Sequence, residues 1–187
     1  MPLLPEQESV RPIDLFDTAV PARHWWVYQT RPRAEKAFAR RLAKADLAYF
    51  CPIYSHKWHK NGRRFESFLP LFPSYVFACG GDEVRTVAFA SNLVVREVAV
   101  PDQARLDREL HSVHHLLGGG DSLRPEDALP RGTPVLIVNG VYAGVYGEFV
   151  EAADDLRVFV KVEMLGRGVS VGVDRWMVKP LTGAKAG

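Results

Sequence analysis

Apolar residues in the first two thirds of the chain recur with two different periods. Residues 25–30 are aromatic or β-branched and predict a strand, which ends at the Arg31-Pro32 step. After this step apolar side chains recur at helical spacing, which predicts a helix with one buried stripe: Ala34, Ala37, Phe38, Leu42 and Ala45. The same reasoning predicts strands over residues 49–54, 75–79 and 93–100 and helices over residues 82–90 and 102–117. This order predicts an α+β fold in which helices flank a largely antiparallel sheet.

The pattern changes near residue 118. Residues 118–130 are rich in Gly, Pro and acids and predict a linker. Beyond it, short β-branched segments alternate with glycines, which predicts a small closed barrel, because closure satisfies the edges of so few strands. Its strands are expected over residues 135–138, 146–151, 157–164 and 169–173. The predicted organisation is a flexible leader over residues 1–23, an N-terminal domain over residues 24–117, the linker, and an all-β domain over residues 131–182.

Basic charge is concentrated in one part of the chain. The formal net charge is +2, yet the stretch from His24 to Arg64 carries ten Lys or Arg and only two acids. This indicates either a surface that meets a polyanion, with nucleic acid the first candidate, or a solvated helix face without a partner. Part of the charge flanks Asn61-Gly62, a pair that predicts a hairpin with a basic tip. Trp58 in this hairpin either stacks on an unpaired base or packs against the sheet.

Composition excludes several classes of protein. Hydrophobic residues make up 47% of the chain and charged residues 25%, as in soluble globular proteins, and no apolar run is long enough to cross a bilayer. A cytoplasmic protein without a membrane partner is therefore expected. The two cysteines are too few for a disulfide framework. The candidate metal ligands match no zinc spacing pattern and include no Cys-x-x-Cys pair, so no metal site is expected. These candidates are Cys51, His56, His59, Cys79, His111, His114 and His115.

Three segments together resemble the NusG family of transcription elongation factors. Residues 25–42, WWVYQTRPRAEKAFARRL, are similar to the Trp-containing first strand and Glu-bearing helix of its N-terminal domain. Residues 70–77, PLFPSYVF, resemble a later Phe-Pro-x-Tyr-Val strand of the same domain. Residues 130–152, PRGTPVLIVNGVYAGVYGEFVEA, resemble a KOW motif. The resemblance implies an NGN-like domain, a linker, and a small SH3-like KOW barrel.

Two details resemble the specialised RfaH-like antitermination members more than general NusG. One is Leu71 ahead of Phe72, and the other is the neighbouring NGRRF element over residues 61–65. RfaH has a His-Thr-Thr-Thr run that makes a second polymerase contact. Here the corresponding stretch is roughly Arg85-Thr86-Val87-Ala88, so the resemblance does not extend to that contact.

The resemblance implies binding surfaces and neither a catalytic residue nor a cofactor. An aromatic segment would grip the clamp helices of the largest RNA polymerase subunit: Phe65, Phe68, Leu71, Phe72, Pro73 and Tyr75. Val76 or Phe77 would lie in the core. DNA at the upstream fork or the non-template strand would meet basic side chains: Arg31, Arg33, Lys36, Lys57, Lys60, Arg63 and Arg64. The KOW turn would rest on glycines that permit positive φ and close strand approach: Gly140, Gly144 and Gly147.

These expectations describe a transcription elongation and antitermination factor that is not an enzyme. The KOW domain has six basic and six acidic residues between Pro130 and Leu181, so it is neutral and is expected to recruit a protein, either Rho or a ribosomal protein. The alternative is a ribosome-associated or RNA-binding KOW protein. It would explain the barrel and the positive charge but would leave the aromatic segment without a purpose.

Overall fold

A computed structural model describes residues 8–17, 23–119, 123–126, 132–152 and 155–181. Residues 1–107 form one unit and residues 108–187 a second. The elements before this boundary are β1 Val10–Arg11, β2 Trp25–Thr30, α1 Glu35–Lys44, β3 Ala48–Phe50, β4 Ile53–Lys60, β5 Arg63–Pro70, β6 Tyr75–Cys79, α2 Glu83–Ala90 and β7 Val94–Val98. Helix α3, Gln103–Gly118, crosses the boundary, and it is followed by β8 Arg124–Glu126, β9 Thr133–Ile137, β10 Tyr146–Ala152, β11 Asp155–Val162, β12 Arg167–Gly172 and β13 Val178–Pro180. The fold is mixed α and β, as the sequence predicts.

The first sheet has the strand order β1-β3-β6-β2-β7, and all neighbouring strands are antiparallel. The strands predicted over residues 25–30 and 75–79 are confirmed as β2 and β6. On one face of the sheet Tyr28 and Val76 are buried together with Phe38 and Leu42 of α1. The apolar stripe of the predicted helix therefore covers this face, as its periodicity indicates.

An aromatic cluster covers the opposite face of the first sheet. Phe72 meets Phe77 edge-on, with ring centroids 5.8 Å apart, and Phe16 meets Phe50 edge-on at 5.0 Å. Trp25 stacks on Phe16 at 5.9 Å. Rings of this kind bury about 150–250 Å² each. The first unit consequently has a core on both faces of its sheet.

The leader predicted over residues 1–23 is packed into the first unit where the structure describes it. In β1, Val10 pairs with Phe50 of β3, and farther along the chain Leu15 and Phe16 are buried. The prediction is therefore wrong for residues 8–17. A two-residue strand and two adjacent apolar residues leave no periodic signal in a sequence, which is why the pattern missed them. Residues 1–7 and 18–22 lie outside the described part of the chain.

Polar contacts fasten the start of α3 to β2. The indole Nε1 of Trp25 donates to Asp107 Oδ1 at 2.8 Å, and the guanidinium of Arg23 pairs with the same carboxylate at 3.2 Å. The amide side chain of Gln103 accepts from the backbone N–H of Trp25 and donates to its carbonyl oxygen. These bonds hold the first turns of α3 against β2.

The second unit contains one antiparallel sheet with the order β13-β9-β10-β11-β12-β8. Its inner face is aliphatic and buried: Val135, Ile137, Val158, Val160, Val169 and Val171. Among the described residues no hydrogen-bonded pairing joins β13 to β8, so the predicted closed barrel is not confirmed. Both edge strands are three residues long and contain a proline, Pro125 in β8 and Pro180 in β13. Short, proline-bearing edges resist further pairing without closure.

Part of the predicted linker is built into this sheet. Strand β8 lies within residues 118–130, and Pro125 pairs with Val169 of β12. A buried polar network reinforces the pairing: Arg157 donates to Ser170 Oγ at 2.8 Å, and that hydroxyl donates to Glu126 Oε1 at 2.6 Å. Because these contacts lie across strands, the Gly and Pro content of the segment does not reveal them. Residues 120–122 and 127–130 of the predicted linker lie outside the described residues.

Candidate functional site

The segment between β5 and β6 places its predicted binding residues in two environments. Leu71 and Phe72 are each 1% exposed and belong to the core, so they offer almost no surface for the direct partner contact that the resemblance implies. Pro73 is exposed and Tyr75 is half-buried. Val76 and Phe77 are buried, which confirms their expected place in the core. The accessible surface of this segment therefore lies at Pro73, Ser74 and Tyr75.

A buried carboxylate shapes the turn that presents Pro73 and Tyr75. Glu35, in the first turn of α1, is 5% exposed and accepts the backbone N–H of Ser74 at 2.6 Å. The Ser74 carbonyl accepts the N–H of Thr30 at 2.8 Å. Ser74 has a φ of 68°, a left-handed conformation that is costly for a residue with a Cβ. Glu35 is a mark of the family resemblance, but its function in the turn was not predictable from that mark.

The predicted hairpin is confirmed as β4 and β5, which form a two-stranded sheet of their own. Asn61 and Gly62 connect the strands with φ values of 51° and 73°, as a type I′ turn requires. Successive side chains of a strand point to opposite faces. The pairing of β4 with β5 therefore defines a ring face: Tyr54, His56, Trp58, Lys60, Arg63, Phe65, Ser67 and Leu69. The Glu66 face carries the others: Ile53, Ser55, Lys57, His59, Arg64, Glu66, Phe68 and Pro70.

Aromatic rings stack along the ring face. Trp58 stacks with His56 at a centroid distance of 5.5 Å and an interplanar angle of 24°. It also stacks with Phe65, its cross-strand partner, at 5.6 Å and 17°. Tyr54 approaches His56 edge-on at 6.4 Å. Trp58 is half-buried, whereas Phe65 is 40% exposed. Trp58 thus packs within the hairpin, the second of the two interpretations open from its sequence.

Ion pairing occupies part of the Glu66 face. Ser55 donates a short hydrogen bond to Glu66, and the ammonium of Lys57 lies 3.7 Å from the same carboxylate. The hydrogen bond from Ser55, followed by the charge of Lys57, lowers the pKa of Glu66. Lys57 is thereby engaged within the hairpin. On this face Phe68 is 46% exposed, so Phe65 and Phe68, predicted as one surface, lie on opposite faces.

The remaining predicted basic residues fall into two groups. Lys36 donates from Nζ to the carbonyl of Phe68 at 2.6 Å and so joins α1 to β5. Arg31 and Arg33 are exposed at the turn from β2 into α1. Three more basic side chains are exposed around the hairpin turn: Lys60, Arg63 and Arg64. Lys36 therefore holds the hairpin in place, whereas the other five side chains face solvent.

The stretch Arg85-Thr86-Val87-Ala88 is engaged within the first unit. Arg85 of α2 donates from Nε to Glu97 of β7 at 3.0 Å. Its guanidinium also lies over the ring of Trp26, 5.5 Å from the centroid. Ala88 is buried, whereas the neighbouring Phe89 is half exposed.

The glycines of the predicted KOW turn have either a positive φ or a close approach of a neighbouring strand. Gly140 and Gly144 have φ values of 83° and 94°. At Gly147 a Cβ would lie 2.5 Å from the carbonyl oxygen of Phe159 on β11, so only glycine permits this strand approach. Among the described residues of the second unit, the large apolar side chains that are more than half exposed were not singled out by the sequence: Val141, Tyr146 and Trp176. Exposed apolar groups have no periodic signature, so a sequence pattern does not distinguish them from core residues.

Neither cysteine is set up for chemistry. Burial, followed by the nearby charge of Glu35, raises the pKa of Cys51 to about 12, and burial also raises the pKa of Cys79. Among the described residues no three His, Cys, Asp or Glu side chains form a group that could hold a metal ion. Within the same part of the chain, no helix has the length and apolar character needed to cross a membrane.

Comparison with known proteins gives one family match. The family model described as "Transcription termination factor nusG" matches residues 23–125, more than half of the chain, and ends before the segment that resembles a KOW motif. No curated protein matches the chain. A solved structure on domain interaction in Thermotoga maritima NusG has 20% identity and a TM-score of 0.49, and the match covers 85% of this chain and 97% of that one. A structure of an MjSpt4:Spt5 complex in conformation B has 12% identity and a TM-score of 0.28, with coverage of 87% and 100%. The TM-scores are too low for either structure to carry an argument.

Proposed function

Since the chain belongs to the NusG family of transcription elongation factors, we propose that its first unit binds RNA polymerase and promotes processive transcription. The observation that supports this most is the family match over residues 23–125, which includes the whole hairpin and the turn held by Glu35. Binding alone is required of such a factor, so no catalytic residue or cofactor enters the proposal.

The proposed docking patch for polymerase consists of Phe68, Pro73 and Tyr75. Two consecutive residues of α1 hold its parts: Glu35 binds the backbone of Ser74, and Lys36 binds the backbone of Phe68. Because both anchors lie on one helical turn, the turn and strand β5 stay close to each other. Large apolar side chains fixed in this way are the usual energetic centres of protein interfaces. The proposed occupant is the pair of clamp helices of the largest polymerase subunit.

The docking patch is tested with the double variant Phe68→Ala/Tyr75→Ala and purified core polymerase. Central interface aromatics cost about 2 kcal/mol or more on truncation, so we expect affinity to fall at least about 30-fold. Val95→Ala, which removes an exposed side chain from β7, is the matched control and should bind normally. A folded double variant with unchanged affinity would place the polymerase contact elsewhere.

We further propose that five exposed basic side chains contact DNA beside the polymerase: Arg31, Arg33, Lys60, Arg63 and Arg64. Their exposure supports contacts with phosphates, which position a protein without reading sequence. Reversing the charges of Lys60, Arg63 and Arg64 to Glu should weaken DNA binding and flatten its dependence on salt concentration. If the slope against salt stays the same, phosphate contacts by the hairpin are ruled out.

The proposed activity is antitermination of the RfaH-like kind, with the second unit acting as a KOW domain that recruits Rho or a ribosomal protein. Leu71 ahead of Phe72 and the NGRRF element support the specialised assignment. Exposed Val141, Tyr146 and Trp176 support a protein partner for the neutral second unit. Sequencing nascent transcripts with and without the protein should show longer transcripts on selected operons when it is present. Uniformly distributed or shortened transcripts would contradict antitermination.

A further inference from the structure

A cavity of about 690 Å³ lies in the second unit, at the end of the sheet where β13, β9 and β10 are neighbours. Cavities that hold small organic ligands have volumes of about 300–1,000 Å³. We propose that this cavity binds a small organic acid, whose apolar body lies against the sheet and whose carboxylate pairs with Arg175.

Strand pairing brings the walls of the cavity onto one face of the sheet. Thr133 of β9 pairs with Phe149 of β10, and Val135 of β9 pairs with Pro180 of β13. Paired residues of antiparallel strands point to the same side, which here is the side of the buried Val135. Val178, two residues before Pro180, lies on this side too. All five residues line the cavity, so the aliphatic inner face of the sheet continues into it.

The backbone leaves this end of the inner face accessible. Among the described residues β13 pairs only with β9, so one side of β13 is an edge of the sheet. Phe149 and Val178 point inwards and yet are only half-buried. At Gly132, which also lines the cavity, a Cβ would lie 2.5 Å from the carbonyl oxygen of Phe149, so glycine is needed for this close approach to β10. The backbone thus forms the cavity without a ligand, as is usual for small-molecule sites.

The charge at the cavity is positive. Arg175, which precedes β13, is exposed and is the one charged side chain among the described residues that line the cavity. At the edge of the cavity Glu148 accepts the N–H of Gly132 at 3.2 Å, and its charge is balanced by an ion pair with Lys161. A guanidinium can bind a carboxylate through two parallel hydrogen bonds, which fix the orientation of the bound group. An apolar wall beside one arginine therefore fits an organic acid better than a neutral or cationic molecule.

This site is separate from the side chains proposed to meet a protein partner. Val141, Tyr146 and Trp176 are not among the described residues that line the cavity. Tyr146 pairs with Leu136 and so points to the opposite face from Val135. The small-molecule site therefore goes beyond the proposed function and does not depend on it.

The test uses the full-length protein with 2-naphthoate as the probe and 2-naphthamide as its neutral counterpart. At the efficiency usual for small ligands, a probe of about 13 non-hydrogen atoms should bind with a Kd of about 1 mM or below. In NMR titrations of the isotope-labelled protein, the largest shifts of backbone amide signals should occur at residues that line the cavity, among them Gly132, Thr133 and Val178. The neutral probe should bind at least about threefold more weakly, because it lacks the charge that pairs with Arg175.

Three variants separate the charge from the wall. Arg175→Gln should weaken binding of 2-naphthoate at least about threefold and leave binding of 2-naphthamide unchanged. Lys179→Gln is the matched control, because it removes a cation from the opposite face of β13 and should affect neither probe. Thr133→Phe places a ring in the cavity from an exposed strand position, where aromatic residues are well tolerated, and should abolish binding of both probes.

Equal losses in Arg175→Gln and Lys179→Gln, or undiminished binding in a folded Thr133→Phe variant, would overturn the proposal. So would amide shifts confined to other parts of the chain, or no saturable binding at several times the expected Kd. Circular dichroism shows whether Thr133→Phe is folded. If it is not, the shift map and the comparison of Arg175→Gln with Lys179→Gln still decide. Because the proposed docking patch for polymerase consists of residues of the first unit, a failure here leaves the proposed function standing.

Discussion

Truncation of Phe72 tests whether the aromatic segment before β6 supports the fold or meets the partner. The sequence places this residue in the polymerase surface, whereas the structure buries it to 1% exposure. Its ring meets Phe77 edge-on at 5.8 Å in the cluster that covers the second face of the first sheet. Phe72→Ala removes this ring and leaves a cavity between that face and the turn that contains Ser74.

The expected cost is large relative to the stability of a domain. A buried Phe→Ala substitution lowers the free energy of unfolding by about 3–5 kcal/mol, since lost burial and a residual cavity both contribute. Natural domains are stable by about 5–15 kcal/mol in total. For a unit of roughly 100 residues each kcal/mol lowers Tm by about 4–8 °C. We therefore expect the Tm of the first unit to fall by at least about 12 °C in Phe72→Ala.

Urea unfolding at 25 °C, followed by tryptophan fluorescence, measures this loss. Phe68→Ala is the control, because it removes the same side chain from an exposed position and should cost within about 0.5 kcal/mol. Polymerase binding is then measured at a temperature where both variants are folded. If Phe72→Ala had wild-type stability but lost polymerase affinity, Phe72 would be a contact residue and its inferred contribution to the core would be wrong.

Three further predictions concern the turn, the thiol and the second sheet. Glu35→Gln replaces the carboxylate that accepts the Ser74 N–H with an uncharged amide, so denaturant unfolding should show a loss of about 1 kcal/mol. Glu35→Ala, which leaves that N–H without its acceptor, should lose more. Cys51, with a pKa raised to about 12, should resist a thiol reagent at pH 8 until the protein unfolds. The thiol of Cys51 ionises near pH 9.0 in the unfolded chain and near pH 12 in the folded one. The contribution of the neutral buried thiol to stability should therefore be complete below pH 9 and decline as pH rises towards 12. Cys51→Ala should lack this part of the pH dependence. Gly147→Ala, whose Cβ would lie 2.5 Å from the Phe159 oxygen, should destabilise the second unit by about 1–3 kcal/mol, and a stability equal to wild type in thermal unfolding would refute the crowding.

Local rules account for the parts of the fold that the sequence predicts. Strands β2 and β6 follow from runs of β-branched and aromatic residues, and the hairpin follows from Asn61-Gly62, whose positive φ values select a two-residue turn. None of these elements depends on a distant partner for its identity. Their boundaries were therefore readable from the chain itself.

The errors arise where distant segments cover one another. The resemblance implied that the aromatic segment over residues 65–75 grips a partner, and this led to the expectation of an exposed surface. Both faces of the first sheet are covered, however, so Phe72 finds a second core that includes Phe16 from the supposed leader. The expected closed barrel is not confirmed among the described residues, where Pro125 and Pro180 lie in the two edge strands of the second sheet and limit further pairing.

The turn of the hairpin determines which ring lies on which face of the hairpin. Successive side chains along β5 point to opposite faces, so a shift of one residue in its pairing with β4 would move Phe65 to the Glu66 face and Phe68 to the ring face. Asn61-Gly62 sets this register. Gly62 has a φ of 73°, and no atom lies within 4 Å of the position that a Cβ would occupy. Glycine is therefore required here by the backbone conformation and not by packing. The bond from Lys36 to the Phe68 carbonyl then ties the hairpin to α1. One turn and one lysine thus fix the orientation of both faces of the hairpin relative to α1.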